Sequence, residues 1–253
     1  MLEAISAPLA RTWVFFSAGE ARAFIRTADY PLVFKLRRGA GSMNVRLVEE
    51  RKQAERLIRQ MFGFGQRPYP VLERIQRGTA RARVKDPGKD PFLERAGRAA
   101  RFLLQQTFLT PRERGYVLFQ RYVPGNDHDI RVTVIGERAF AFVRGVRPDD
   151  FRASGSGRIS YLAPPDLPVD AIRTAFGISR ALGFESMAYD FVRDPSTSAP
   201  VLLEISYSFQ AKAVHDCPGY VDRSLRWHEG NFWPEDLIMD DLVTAGSSGV
   251  RCP

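Results

Sequence analysis

Two acidic residues occupy positions where acids are seldom placed. Asp190 lies in the apolar run Ala188-Tyr-Asp-Phe-Val192, and Glu204 in Val201-Leu-Leu-Glu-Ile205. The turn-rich Asp194-Pro-Ser-Thr-Ser-Ala-Pro200 separates them. A simple antiparallel hairpin centred on residue 197 sets the two carboxylates directly opposite on one face, and Ser206 shares that face. Opposed residues hold their Cβ atoms about 4.5–5.5 Å apart, where like charges repel. A cation between them would remove the repulsion. Two carboxylates, a hydroxyl and nucleotide phosphates form a hard-oxygen set of the kind Mg2+ takes, so Asp190, Glu204 and Ser206 are candidate metal ligands. The alternative, in which one carboxylate faces solvent or pairs with an arginine, stays equally open, because the register is assumed.

Three further patterns could handle anions. Lys35 ends the run Leu-Val-Phe-Lys, and Arg37-Arg38-Gly39-Ala40-Gly41-Ser42 follows, so an ammonium and backbone N–H groups could surround phosphates. A snorkelling lysine before an ordinary loop is the plain alternative. A hairpin about Gly136-Glu137 pairs Asp129 with Arg144, Arg131 with Phe142 and Thr133 with Phe140, which places two arginines and an acid on one face. Arginine suits bidentate recognition of phosphate or carboxylate, although a solvated ion pair would read the same way. Asp150-Phe-Arg-Ala-Ser-Gly-Ser-Gly157 offers a loop rich in hydroxyl and N–H donors, able to close over an anion or merely to connect strands. His128 between two aspartates lacks a plausible third zinc ligand. Cys217 before Pro218 reads as a buried residue rather than a nucleophile.

The elements that must carry these groups follow from periodicity. Residues 12–48 read as strand, helix, strand, loop, strand. Ser17 and Glu20 have capping-box spacing, and the helix they open buries Ala21, Phe24, Ile25 and Ala28. A second helix runs from about Glu49 to Phe62, with acids at its start. Residues 74–115 form a basic insertion with a helix over about 91–106. Strands follow at 116–123, 129–135 and 138–146. A helix over about 168–182 ends at Gly183, and strands at 187–193 and 201–206 complete the pattern.

The 253 residues are 44% hydrophobic and 26% charged, ordinary globular composition with enough chain for one large core or two lobes. No apolar run approaches the roughly 20 residues that span a membrane, and no signal-peptide pattern opens the chain. Two cysteines give no disulfide framework and point to a reducing cytoplasm. The net charge of +8 favours an anionic partner without naming one. No nucleic-acid-binding motif accompanies that charge.

Taken in order from about Pro8 to Phe209, these pieces resemble the ATP-grasp superfamily. Pro8-Leu-Ala-Arg-Thr12 is similar to its opening segment, and Tyr30-Pro-Leu-Val-Phe-Lys35 to its strand with a phosphate-contacting lysine. Phe119-Gln-Arg-Tyr-Val123 is similar to the hinge that holds adenine. Asp129-Ile-Arg-Val132, Asp150-Phe-Arg152 and Leu203-Glu-Ile-Ser206 follow in the family's order. The likeness is to the amino-acid-adding branch, and also to ATP-grasp proteins of surface-polysaccharide clusters.

The resemblance implies an α+β, two-lobed fold with MgATP between lobes 1–118 and 119–253, lacking the usual N-terminal α/β domain. It implies an ATP-dependent carboxylate–amine (or thiol) ligase that works through an acyl phosphate and releases ADP. Lys35, Gly39, Gly41 and Ser42 would hold phosphates, Gln120, Arg121, Tyr122 and Val123 adenine, and Asp127 ribose. Asp190, Glu204 and Ser206 would bind Mg2+, while Arg131, Arg144, Arg152 and Ser154 would act on the transferred phosphoryl group. Arg121 replaces a usual Glu, and Ser154 and Ser206 each replace a usual Asn. Partners would be a carboxylate, an amine acceptor and a protein supplying the missing domain; nucleic acid is not expected. Two other readings are a catalytically weak nucleotide-binding regulatory subunit and an anionic-polymer-binding protein using residues 74–101.

Overall fold

The computed structural model describes residues 1–37, 44–68, 111–147 and 150–247. The expected helix over 91–106, most of the basic insertion, and Gly39, Gly41 and Ser42 lie outside the described residues. Contacts divide the chain into two compact units: Arg11–Tyr122, and Met1–Ala10 together with Val123–Pro253. The division therefore falls after the strand Val117–Arg121 rather than within it, and the first ten residues pack with the second half.

In the smaller unit, β1 (Thr12–Phe15), β2 (Leu32–Lys35), β3 (Arg46–Val48) and β4 (Val117–Arg121) form an antiparallel sheet in the order β1-β4-β2-β3. The register pairs Trp13 and Phe34 with Phe119, Phe15 with Val117, and Lys35 with Leu118. Alternation then sends Trp13, Phe15, Phe34, Val117 and Phe119 to one face, where they join a core with two helices. Helix α1 (Ala18–Phe24) is capped by Ser17, whose Oγ accepts from the Glu20 N–H at 3.4 Å. It stops a turn earlier than the periodicity suggested, so Ala28 packs beyond its end. Helix α2 (Arg51–Phe62) buries Ala54, Leu57, Ile58 and Met61 at helical spacing. Its first turn holds no acid, because it begins after Glu49 and Glu50.

Asn44 ties this unit together. Its backbone is left-handed at φ 62°, a conformation that asparagine tolerates. Its Nδ2 donates to the carbonyls of Arg67 (3.2 Å) and Pro68 (2.5 Å), and its Oδ1 accepts from Gln66 Nε2 at 2.6 Å. Asn44 is 5% exposed, so water cannot replace these partners. Asn44→Ala should therefore lower stability by about 2–4 kcal/mol through left-handed strain and unsatisfied polar groups. Urea unfolding of the two proteins checks this, and Asn44→Gly should recover the strain component only.

The larger unit is built on β5 (His128–Ile135), β6 (Arg138–Gly145), β7 (Ile159–Tyr161), β8 (Ser186–Arg193), β9 (Pro200–Ser206), β10 (Gly219–Asp222) and β11 (Trp227–Glu229). Their order is β11-β10-β6-β5-β8-β9, with β7 paired to β6. Gly136 takes φ 54° at the first central position of the β5–β6 turn, and Glu137 stays at negative φ, as a type II′ turn requires. Helix α3 (Val169–Leu182), ended by left-handed Gly183, covers one face, packing Ala171, Ile172 and Ala175 with Val132, Val134, Tyr189 and Phe191. The opposite face has two parts. Phe140 and Phe142 pack with Ala213, Val214, Cys217 and Leu237 from helices α4 (Ala211–His215) and α5 (Pro234–Ser247). The rest of that face is polar. The extended segment before β1 runs parallel to β9, with Leu202 N–H donating to Pro8 O at 2.7 Å.

Candidate active site

The polar part of the β5–β6–β8–β9 face brings together most of the charged residues singled out above. Asp129 pairs with Arg144, Arg131 with Phe142, and Thr133 with Phe140, as the two-residue turn dictates. Asp190 pairs with Glu204, and Ala188 with Ser206. The β8–β9 register shifts at Asp190/Phe191, so Phe191 pairs with Leu202 and a simple hairpin holds only away from the turn.

Strand β8 also pairs with β5, and this sets Arg131 directly beside Asp190. Arg131 donates from Nε to Asp190 Oδ1 (2.6 Å) and from Nη2 to Oδ2 (2.7 Å). Arg144 grips Asp129 in the same bidentate manner, Nε to Oδ1 at 2.7 Å and Nη2 to Oδ2 at 2.6 Å. Its Nη2 also lies 2.8 Å from Asp190 Oδ2. Two guanidiniums and two carboxylates thus form one chain of formal charge zero. The side chains of Asp129, Arg144 and Asp190 are 9%, 7% and 5% exposed, so these contacts act in a weakly screening interior. Burial opposes ionisation of Asp190, but the guanidiniums of Arg144 and Arg131 hold its carboxyl below the usual range. Burial, with the Asp190 charge nearby, pushes Asp129 upward instead. Burial also works against the Arg144 charge, which the Asp190 and Asp129 carboxylates hold in place.

Each arginine keeps one nitrogen outside these carboxylate contacts. Arg144 Nη1 lies 3.5 Å from Ser154 Oγ, at the limit of a hydrogen bond, and Arg131 spends only Nε and Nη2 on Asp190. Thr133, two residues along from Arg131, has a buried hydroxyl without a hydrogen-bond partner among the described residues. Arg152 is held elsewhere: Asp150 accepts from its N–H at 3.1 Å and from its Nε at 2.9 Å. Arg147 reaches the same carboxylate at 3.3 Å and the Ser154 carbonyl at 2.8 Å. Burial raises the Asp150 carboxyl, but the Arg152 contacts outweigh it and leave its pKa low. The anchoring role of Asp150 was missed in sequence, although its two-residue spacing from Arg152 was the available signal.

The three residues expected to hold a metal have these surroundings in the metal-free structure. Asp190 already accepts three guanidinium hydrogen bonds, of the roughly four its two oxygens can take. Ser206 Oγ donates to Ser208 O at 3.0 Å and accepts from Ser208 N, so a local turn occupies it. Glu204 is exposed. Among the described residues no group of three or more His, Cys, Asp or Glu side chains could hold a metal ion. Opposed strands do bring Asp190 and Glu204 together, and the Arg131 and Arg144 guanidiniums neutralise Asp190.

The expected nucleotide residues fall in both units. In the smaller one, Lys35 shares with Val33, Leu118 and Gln120 the sheet face opposite the one that α1 and α2 cover. Gln120 is buried and donates from Nε2 to Thr12 Oγ1 at 3.0 Å. Arg121 lies on the other face, so its side chain points away from the Lys35 side. Tyr122 ends that unit, and Val123 begins the other. Asp127, exposed, sits 2.5 Å from His128 Nδ1, and this hydrogen bond lowers its pKa. Cys217 is buried, and burial with the Asp216 charge pushes its thiol up to about 12, which removes a thiolate nucleophile at neutral pH.

No protein-family model matches the sequence, and no curated protein matches it. Solved structures do match. A biotin carboxylase in complex with an ATP analogue, from Campylobacter jejuni, aligns with all of this chain at 15% identity and a TM-score of 0.53. A RimK-domain ATP-grasp protein from Sphaerobacter thermophilus aligns with 84% of it at 17% identity and a TM-score of 0.45. The macrocyclase MdnC from Microcystis aeruginosa, bound with its precursor peptide, aligns with 96% at 13% identity and a TM-score of 0.49. The alignments span 45%, 57% and 57% of those three chains. The chain has the ATP-grasp fold, as the order of its motifs implied. Among the described residues no helix is long and apolar enough to cross a membrane.

Proposed function

We propose that the chain is an ATP-dependent ligase joining a carboxylate to an amine (or thiol) through an acyl phosphate. A carboxylate oxygen attacks the γ-phosphorus, the bond to ADP breaks, and the amine then displaces phosphate from the acyl carbon while losing a proton. The observation that carries this reading is the Arg131–Asp190–Arg144–Asp129 chain, within a fold that aligns with a nucleotide-bound carboxylase. Carboxylates fix both guanidiniums and leave a donor edge on each, a preorganised arrangement for charge that develops on a transferring phosphoryl group. Ser154 on the Asp150 loop lies 3.5 Å from Arg144, and Arg152 of the same loop would join them on the phosphoryl group. Lys35 and residues 39–42 would hold phosphates, the 120–123 segment adenine, and Asp127 ribose. ATP would enter as its magnesium complex, a substrate whose metal is held chiefly by its own phosphates. The acid, the amine and any protein partner belong to this proposal.

Charge neutrality in the arginine chain also favours a second reading, a regulatory subunit that binds nucleotide without turnover. Incubation with MgATP, pooled carboxylic acids and hydroxylamine separates the two. ADP, phosphate and a hydroxamate are expected from the ligase. AMP and pyrophosphate would overturn the acyl-phosphate route, and nucleotide binding without product across the pool would favour the regulatory reading.

A further inference from the structure

A cavity of about 330 Å3 opens in the smaller unit, lined in part by Phe16, Arg37, Arg112, Glu113, Arg114 and Tyr116. Three guanidiniums against one carboxylate give the lining a formal charge of +2. Its floor is fixed. Gln66 and Glu113 exchange backbone hydrogen bonds of 2.9 and 2.8 Å, and Gly115 N–H donates to Met61 O at 2.9 Å, so the segment 112–115 is bound to the end of α2. The Tyr116 hydroxyl donates to the Glu113 carboxylate and accepts from the Arg37 N–H at 2.7 Å. Burial pushes that phenol up to about 12, so it keeps its proton and its donor role at neutral pH. Arg112 is also held, with Nη1 donating to Gly65 O at 3.3 Å and its guanidinium 5.6 Å from the Phe64 ring centre.

Arg37 and Arg114 differ from these. Both are exposed, and neither side chain has an ion pair among the described residues. Two guanidiniums without an ion pair among the described residues, on a pinned frame beside the 77%-exposed ring of Phe16, form a site suited to an anion. Arg37 continues the β2 direction two residues past Lys35, roughly 7 Å along an extended chain. In sequence it lies between Lys35 and residues 39–42, so the Lys35 variant below separates this anion from nucleotide phosphate.

We propose that this cavity binds a small organic acid carrying two or more negative charges, with Arg37 and Arg114 as its principal contacts and Phe16 against its carbon frame. The size lies at the lower end of ordinary small-molecule sites. The site lies wholly within one unit and does not depend on the ligase reading. Carboxylate and phosphate share the chemistry that guanidinium recognises, so the test uses both.

Calorimetric titration of citrate and of glycerol 3-phosphate, with glycerol as neutral control, reads the site directly. At least one anion should bind one to one, and its identity separates polycarboxylate from phosphate ester. Arg37→Gln and Arg114→Gln should each weaken binding about tenfold, a charge-assisted hydrogen bond of about 1.4 kcal/mol. Arg56→Gln, an equal loss of charge on the exposed side of α2, should leave affinity unchanged, and so should Lys35→Met. The proposal is overturned if neither anion binds, if Arg56→Gln weakens binding as much, or if Lys35→Met abolishes it.

Discussion

Arg144→Met is expected to destabilise the larger unit by about 3–5 kcal/mol, because it leaves two buried carboxylates with a single guanidinium between them. Arg144 meets Asp129 through two hydrogen bonds and Asp190 through a third contact, so no other residue substitutes for it. The loss should depend on pH, with the following sign. Without Arg144, Asp129 is buried beside a second carboxylate, and its folded pKa rises further above the unfolded value of about 3.9. Between those two values the folded state binds more protons than the unfolded state, so stability falls as pH rises. Urea unfolding of Arg144→Met should therefore give a smaller deficit at mildly acidic pH than at pH above neutrality. A deficit under about 1 kcal/mol at every pH would mean that the chain of charges contributes specificity alone. The double change Asp129→Leu with Arg144→Met removes both members of one pair and should recover much of the loss, since an apolar pair of similar volume avoids the desolvation cost.

The second large effect concerns nucleotide. Lys35→Met keeps the aliphatic stem of a half-buried strand residue and removes its ammonium. If Lys35 contacts phosphate, a nonhydrolysable ATP analogue with Mg2+ should bind about 10- to 100-fold more weakly, the scale of one charge-assisted hydrogen bond at about 1.5–3 kcal/mol. The melting temperature should barely move. Glu204→Gln is the informative companion. A protein-held metal at Glu204 would make it as damaging as Lys35→Met, whereas the arrangement of Asp190 and Ser206 leads us to expect less than about a threefold change, well under 1 kcal/mol. Unaltered binding in Lys35→Met would remove that residue from the site. Asp190→Asn tests nothing about metal, because it also strips Arg131 and Arg144 of their shared partner.

Local chemistry specified much of this protein. The Gly136-Glu137 turn admits one tight hairpin register, so the shared face of Asp129, Arg131 and Arg144 follows from a two-residue turn and a period of two. Ser17 and Gly183 mark helix ends because a side-chain oxygen and a left-handed glycine meet orphan backbone groups there. The opposition of Asp190 and Glu204 was likewise legible, since a short turn joins their strands. The order of the motifs carried the fold.

Tertiary pairing decided what those residues do. Strand β8 could have lain beside any open edge, because a helix separates it in sequence from β5 and β6, and nothing local records which strand it joins. Its pairing with β5 sets Arg131 against Asp190, and this contact makes Asp190 the centre of an ion-pair chain. The same limit hid the cavity where Arg37 meets Arg112 and Arg114, which lie 75 and 77 positions further along the chain and come near it only because β2 and β4 are neighbours. Sequence spacing fixes which side chains share a face of one hairpin. Which strands become neighbours depends on burying the apolar faces of several elements at once, and that is settled only when the whole sheet forms.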